Sequence, residues 1–322
     1  MKKKLLFITE KYCDGDPDKG LTNSVHNLFG SFQHSFTAEE WDFKTIHYDE
    51  IALKGKHIDD FAQKIYDSVK PDAVLCTLLG TMSCNPSEKF FKLFKDAGCK
   101  VIFLWPDLGT GWTLDSYQKY NDFVDLHIGI ASENNIQLPK LKYMWTPEDP
   151  AYFYPPMLDE DGTGETKDID ILFLGTAHNQ ERMECLHFLK DRLNGYSVYF
   201  GGGQRHEKLS HEKYAELTRR SKIVINFPFS PSGLDQVKGR VFESIACKSL
   251  LMERKNNKTS QFFDPLTEYV EYTSKEDLLK KIIFYQENND IRERMAERAL
   301  KTYITKWSHN QFWYQVFEEL YK

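Results

Sequence analysis

The residues best suited to chemistry lie in one stretch, 221–253, which reads SKIVINFPFSPSGLDQVKGRVFESIACKSLLME. A buried strand ends at Phe227 and a Pro/Ser/Gly loop follows. Lys238-Gly239-Arg240 then open a helix whose apolar face is Val241, Phe242, Ile245 and Ala246. Unpaired N–H groups and the aligned peptide dipoles make a helix N-terminus a site for anions. Two cations beside it suit a diphosphate, and a guanidinium can grip phosphate oxygens through two hydrogen bonds. Glu243, one turn in, can accept hydrogen bonds from the vicinal hydroxyls of a ribose. A plainer reading fits the same residues. The dipole alone favours an acid early in a helix, and Lys238 and Arg240 can form a solvated rim.

Other candidates follow strands elsewhere. Gly175-Thr176 ends the strand Ile169–Leu174 and can approach phosphates closely. Gly201-Gly202-Gly203 ends Tyr196–Phe200, where the missing Cβ admits a nucleobase or simply allows a tight turn. Asp107, after Lys100–Trp105, is a candidate base for the proton of an acceptor hydroxyl; a turn-capping aspartate is its rival. His26 and His127 are further base candidates, although His127 lies inside an apolar strand and suits the core better. Asp14-Gly15-Asp16 matches a metal motif in spelling only. The six cysteines (Cys13, Cys76, Cys84, Cys99, Cys185 and Cys247) form no CxxC pair and have no zinc spacing. They read as reduced thiols of a cytoplasmic protein.

The elements that must position these residues alternate strand and helix. The first half offers strands at Lys4–Thr9, Phe43–Tyr48, Ala73–Leu79, Lys100–Trp105 and Val124–Ile130. Helices fall at Asn23–Phe36, Ile58–Val69 and Pro86–Ala97. The strands are near-continuously apolar, which predicts a parallel sheet covered on both faces. Pro147, Pro150, Pro155 and Pro156, followed by 159–164 (DEDGTG), mark the best domain boundary. The second half repeats the pattern, with strands at Ile169–Leu174, Tyr196–Phe200, Lys222–Phe227 and Leu250–Met252. Its helices are Glu181–Leu193, His211–Arg220, Lys238–Ser249, Lys275–Asn288 and Asp290–Lys301, with an aromatic-rich last helix at Trp307–Tyr321. The expectation is α/β throughout: two tandem Rossmann-like, doubly wound domains with an inter-domain cleft for the ligand. The division is 1–150, 151–306, and a C-terminal helix 307–322 packing back on the first domain.

Composition narrows the class further. The chain has 322 residues, with 41% hydrophobic and 28% charged, which excludes a disordered or collagen-like chain. It carries 42 Lys+Arg against 48 Asp+Glu, a net charge of -6. That balance argues against broad polyanion binding, because coating a nucleic acid takes clustered cations. No stretch approaches the ~18 apolar residues of a spanning helix.

The order of motifs in the second half resembles the donor-binding segment of two-domain GT-B glycosyltransferases. It is closest to the group-1-like glycosyltransferases that include the spore maturation protein CgeB type. The residues that carry the likeness are Ser221-Lys222-Ile223, Asn226-Phe227, Gly239-Arg240-Val241-Phe242-Glu243, Ala246-Cys247 and Leu250-Leu251. Ile169–Gly175, Arg182 at the start of a helix, Phe262-Phe263-Asp264 and the crossover-like Tyr152-Phe153-Tyr154-Pro155 stand in order around them. The resemblance covers about residues 168–318.

It implies transfer of a sugar from a UDP- or GDP-sugar to the hydroxyl of a glycan or other acceptor, with no metal or further cofactor. Glu243 would hold the donor ribose, and Lys238 and Arg240 would neutralise the diphosphate. Gly175, Thr176, Arg182 and Gly201 would complete the donor site. Asp235 falls at the first carboxylate of an E-x7-E pattern, near the donor sugar, but is one methylene shorter than the usual glutamate. Lys248 stands where relatives commonly carry glycine. Two alternatives are a glycosyltransferase acting on nucleic-acid bases and an inactive nucleotide-sugar- or protein-binding module.

Overall fold

The computed structural model describes residues 2–106, 108, 111–130, 136–157, 165–176, 180–201, 209–229 and 235–322. The chain divides into two compact units, Met1–Asp149 with His309–Lys322, and Pro150–Ser308.

The first unit is built on six parallel strands: β1 (Lys3–Thr9), β2 (Trp41–His47), β3 (Ala73–Cys76), β4 (Lys100–Pro106), β5 (Leu126–Ile130) and β6 (Leu141–Met144). They lie in the order β2-β1-β3-β4-β5-β6. Every residue of β3 and β5 is buried, as strands covered on both faces require. Its helices are α1 (Ser31–Gln33), α2 (Tyr48–Ala52), α3 (Ala62–Val69), α4 (Glu88–Asp96) and α5 (Gly111–Tyr120).

The second unit has five parallel strands: β7 (Ile169–Leu174), β8 (Val198–Gly201), β9 (Ser221–Asn226), β10 (Leu250–Arg254) and β11 (Val270–Tyr272), in the order β11-β10-β9-β7-β8. Its helices are α6 (Gln180–Lys190), α7 (His211–Arg219), α8 (Gly239–Ala246), α9 (Lys275–Glu287) and α10 (Asn289–Thr302). The last helix, α11 (His309–Leu320), belongs to the first unit. Its Trp313 is fully buried, 5.0 Å from the Phe32 ring, and donates from Nε1 to Ser31 Oγ at 2.9 Å. Phe317 lies 4.5 Å from Trp41.

Both sheets start in the middle. The first strand pairs with the second on one side, and all later strands are added on the other. The switch points therefore lie between β1 and β3, and between β7 and β9, and ligands of open α/β sheets bind at the carboxyl ends of such strands.

Several elements differ from the sequence expectation. The stretch expected as one helix over Asn23–Phe36 winds in wider i→i+5 turns over Ser24–Gly30, then briefly as α1. The strand expected to reach Leu79 stops at Cys76, because Asn85 then takes over the Leu79 backbone at both its N–H and its carbonyl. Helix α5 and strands β6 and β11 are further elements that the sequence pattern does not predict. The departure at Lys248 has a geometric consequence. Lys248 closes α8 with φ 54, and the N–H groups of Lys248 and Ser249 donate back to Ile245 and Ser244. That is the left-handed cap which glycine adopts without strain. The ammonium of Lys248 meets Glu297 at 2.5 Å in partial compensation.

Candidate functional site

Arg240 spans the switch point of the second unit. It stands in the first turn of α8, immediately after Gly239. Its Nη2 donates to the carbonyl of Leu174, the last residue of β7. Its Nη1 donates to Asn226 Oδ1, at the end of β9, at 2.6 Å. The guanidinium lies 5.1 Å from the Phe173 ring centroid, and its Nε has no hydrogen-bond partner among the described residues. Gly175 is required by this close approach: a Cβ there would stand 2.6 Å from Arg240 Nη2.

A second guanidinium joins it. Arg182, in the first turn of α6, reaches back to the carbonyl of Thr176 at 2.5 Å and lies 5.7 Å from the same Phe173 ring. Burial and the neighbouring charge of Arg240 hold Arg182 below the ordinary arginine pKa. Two like charges brought together at a strand end repel, and an anion bound there relieves the repulsion. The site is thus cationic before any ligand arrives.

Glu243 is buried on α8, one turn past Arg240, and its Oε2 accepts from the Tyr214 hydroxyl at 2.7 Å. Burial and the Glu243 charge push the Tyr214 phenol well above its usual pKa, so it stays a donor. Lys238 supplies the N-cap backbone of α8, and its ammonium donates to Gln236 Oε1. Asp235 pairs through its backbone with Phe229 in the loop before α8. Gly201 ends β8 and accepts from the Gly175 N–H at 2.9 Å. A Cβ on Gly201 would lie 2.7 Å from the Tyr199 ring, so local packing already demands the glycine. Gly175, Thr176, Arg182, Arg240 and Glu243 thus gather around the ends of β7 and β9. Asp107, Gly202 and Gly203 lie outside the described residues.

Two residues of this region escaped the sequence reading of chemistry. Asn226 is fully buried and joins Arg240 to Glu253 of β10, donating from Nδ2 to Glu253 Oε1 at 2.6 Å. Glu253 is also fully buried, and burial pushes its carboxyl up to about 7. Asn226 closes β9 and stands among the residues that carry the family resemblance, whereas the signal for Glu253 is only a polar residue near the end of an apolar strand.

The first unit carries a polar cluster at its own switch point, also unanticipated. Thr9, the last residue of β1, and Thr77, just beyond β3, bring their hydroxyl oxygens to 2.6 Å. Thr77 and Ser24 each donate to the buried Glu10 carboxylate at 2.6 Å. By contrast, His127 is a core residue. It is fully buried, accepts from Trp105 Nε1 at 2.9 Å, and is held neutral by burial, with its pKa down to about 3. Asp14 pairs with Lys19 and Asp16 caps a short turn. Among the described residues no group of three His, Cys, Asp or Glu could hold a metal, and no helix is long and apolar enough to cross a membrane.

Comparison with known proteins bears on the whole chain through its fold. Anabaena HepE, solved in complex with UDP, superposes with a TM-score of 0.58 at 10% identity, covering 99% of this chain and 100% of that one. A glycosyltransferase from Rickettsia africae gives 0.58 at 13% identity, covering 99% and 98%. The sucrose-phosphate synthase of Thermosynechococcus elongatus gives 0.57 at 10%, covering 99% of each. The chain has the GT-B fold. Within it, residues 181–318 match a family model described as glycosyl transferase-like. That segment of the GT-B chain runs from α6 through α11 and contains Arg182, Asn226, Arg240, Glu243 and Glu253. No curated protein matches the chain in sequence.

Proposed function

We propose that this chain is a nucleotide-sugar glycosyltransferase of the group that the CgeB-type resemblance indicates. The observation that carries the reading is the pair of guanidinium groups, Arg182 and Arg240, set together at the β7–β9 switch point beside the N-terminus of α8. Such a site suits a diphosphate. HepE was solved with UDP and, separately, with UDP-glucose, which supports a UDP-sugar as the donor here.

In this reading the second unit holds the donor. Glu243 accepts from the ribose hydroxyls, and the Tyr214 hydroxyl keeps its carboxylate turned to receive them. Transfer breaks the bond between the sugar C1 and the phosphate oxygen and joins C1 to an acceptor hydroxyl oxygen. The bonding electrons leave with the nucleoside diphosphate, whose added charge Arg182 and Arg240 stabilise. The acceptor's proton goes to a base, for which Asp107 remains the candidate, while Asp235 faces the donor sugar. The guanidinium pair supplies the positive charge that a divalent cation would otherwise bring, so transfer should persist in EDTA. The acceptor, a glycan or other hydroxyl compound, falls to the first unit.

The test is release of nucleoside diphosphate from a panel of nucleotide sugars, paired with titration of Glu243→Ala. Losing the charged acceptor for the ribose should weaken donor binding by about 10- to 100-fold, from hydrogen bonds to a charged group worth about 1.5–3 kcal/mol. Equal affinity in wild type and variant would remove Glu243 from the site.

A further inference from the structure

Glu253 does not reach the strand ends where Arg182 and Arg240 meet, yet its placement is hard to explain as packing. It stands one residue before the end of β10, directly opposite Asn226 of β9 in the parallel register. Its Oε1 accepts from Asn226 Nδ2 at 2.6 Å, and the Asn256 and Thr259 side chains also face the carboxylate. A fully buried carboxylate is costly, and an apolar residue would fill the position more cheaply.

The return on that cost lies at Asn226. Ionised, the carboxylate can only accept; protonated on Oε2, it still presents Oε1 as an acceptor, so in either state it fixes which end of the amide faces it. With Nδ2 committed to Glu253, Oδ1 must face Arg240, and it accepts from Nη1 at 2.6 Å. Were the amide turned over, an NH2 group would confront a guanidinium, donor against donor. The chain Glu253–Asn226–Arg240 crosses the adjacent strands β10 and β9 to the helix α8, and its far end grips the Leu174 carbonyl of β7.

We propose that Glu253 is a positioning residue for the donor diphosphate, acting through Asn226 to hold the Arg240 guanidinium at the β7–β9 switch point. This rests on the nucleotide-sugar reading of the site. Glu253 also couples binding to protons. Burial, together with the Asp235 charge, raises its carboxyl to about 7, while the side chains of Asn226, Asn256 and Thr259 oppose the rise. The other ionisable groups around it are Glu271, its register partner on β11, with Tyr269 and Tyr272 from the same side. Arg254 follows it on β10, and Arg240 stands one amide away. A diphosphate bound on Arg240 adds negative charge to this surround. The ionised carboxylate is then disfavoured and takes up a proton. By linkage, donor binding tightens as pH falls from about 8 towards 6.5.

The experiment is calorimetric titration of the full chain with UDP-glucose, UDP-N-acetylglucosamine, GDP-mannose and dTDP-glucose. Their diphosphates do not titrate in this range. Buffers of different ionisation enthalpy then report proton uptake near pH 7. Wild type should take up a fraction of a proton and gain about two- to fivefold in affinity between pH 8 and 6.5. Glu253→Gln keeps an acceptor for Asn226 and should bind within about threefold of wild type, but with no proton uptake. Glu253→Met leaves the Asn226 NH2 without its acceptor and should bind at least about tenfold more weakly. A merely structural role would change stability in both variants and leave the proton count alone. Wild-type uptake retained in Glu253→Gln, or wild-type affinity in Glu253→Met, would overturn the proposal; the Gln variant decides alone if the Met variant does not fold. Wild-type protein that binds none of the four donors would overturn the nucleotide-sugar reading and this inference with it.

Discussion

Replacing Arg240 with alanine should lower kcat/KM for sugar transfer by about 10²–10³, the cost of removing a preorganised charge from a leaving-group site. The effect is large because three demands meet in one side chain. Arg240 ties the Leu174 carbonyl to the Asn226 amide, so both strand ends keep their places. It faces Arg182, so the pair concentrates charge where one diphosphate fits. The leaving diphosphate gains charge as the C1–O bond breaks, so the interaction strengthens in the transition state and appears in kcat as well as in KM. Arg240→Lys keeps the charge but cannot span Leu174 and Asn226 together. It should recover only a small part of the loss. Steady-state kinetics decide the matter, and a fall of less than about fivefold for Arg240→Ala would separate Arg240 from the reaction.

Lys167→Met should destabilise the second unit by about 2–4 kcal/mol. The Lys167 ammonium shares its three N–H groups among four oxygens: the carbonyls of Arg219, Ser221 and Cys247, at 3.0, 2.7 and 3.0 Å, and Ser249 Oγ at 2.9 Å. Two of those carbonyls end helices, Arg219 in α7 and Cys247 after α8, where a cation is also favoured by the dipole. Desolvation draws the ammonium down to about 8, so it is largely charged at neutral pH. Methionine matches the stem and strands the Arg219 and Cys247 carbonyls, while the Ser221 carbonyl and Ser249 hydroxyl keep each other. Hydrogen exchange under increasing urea, followed at α7, β9 and α8, should show the loss there first. The same side chain fixes the far end of the helix whose near end carries Arg240. Protection unchanged within about 0.5 kcal/mol would contradict the assignment.

The repeating strand–helix order was readable because parallel strands buried on both faces are continuous apolar runs. Ile169–Leu174 has the same limits in the sequence and in the structure. The elements that escaped have weaker patterns. β11 is three residues long, and β6 is LKYM with one buried side chain. Helix α5 opens at Gly111 and interrupts its apolar spacing with Asp115, Ser116, Gln118 and Lys119.

The site divides in the same way. Lys238, Arg240 and Glu243 stood out because cations and an acid at a helix start have a local meaning. Asn226 and Glu253 have none. They meet only because β9 and β10 are neighbours in a register that sets position 226 beside position 253. Glycine spacing could not say that Gly175 is needed to admit a guanidinium rather than a phosphate. The Glu10 cluster depends likewise on the β1–β3 neighbourhood, across an interval of 67 residues from Thr77.

The most direct test of the central claim is a crystal structure of this chain with UDP-glucose bound. The diphosphate should lie within hydrogen-bond reach of Arg182 and Arg240 at the start of α8, with the ribose hydroxyls on Glu243. A diphosphate bound elsewhere, with Arg240 still holding only Leu174 and Asn226, would contradict it.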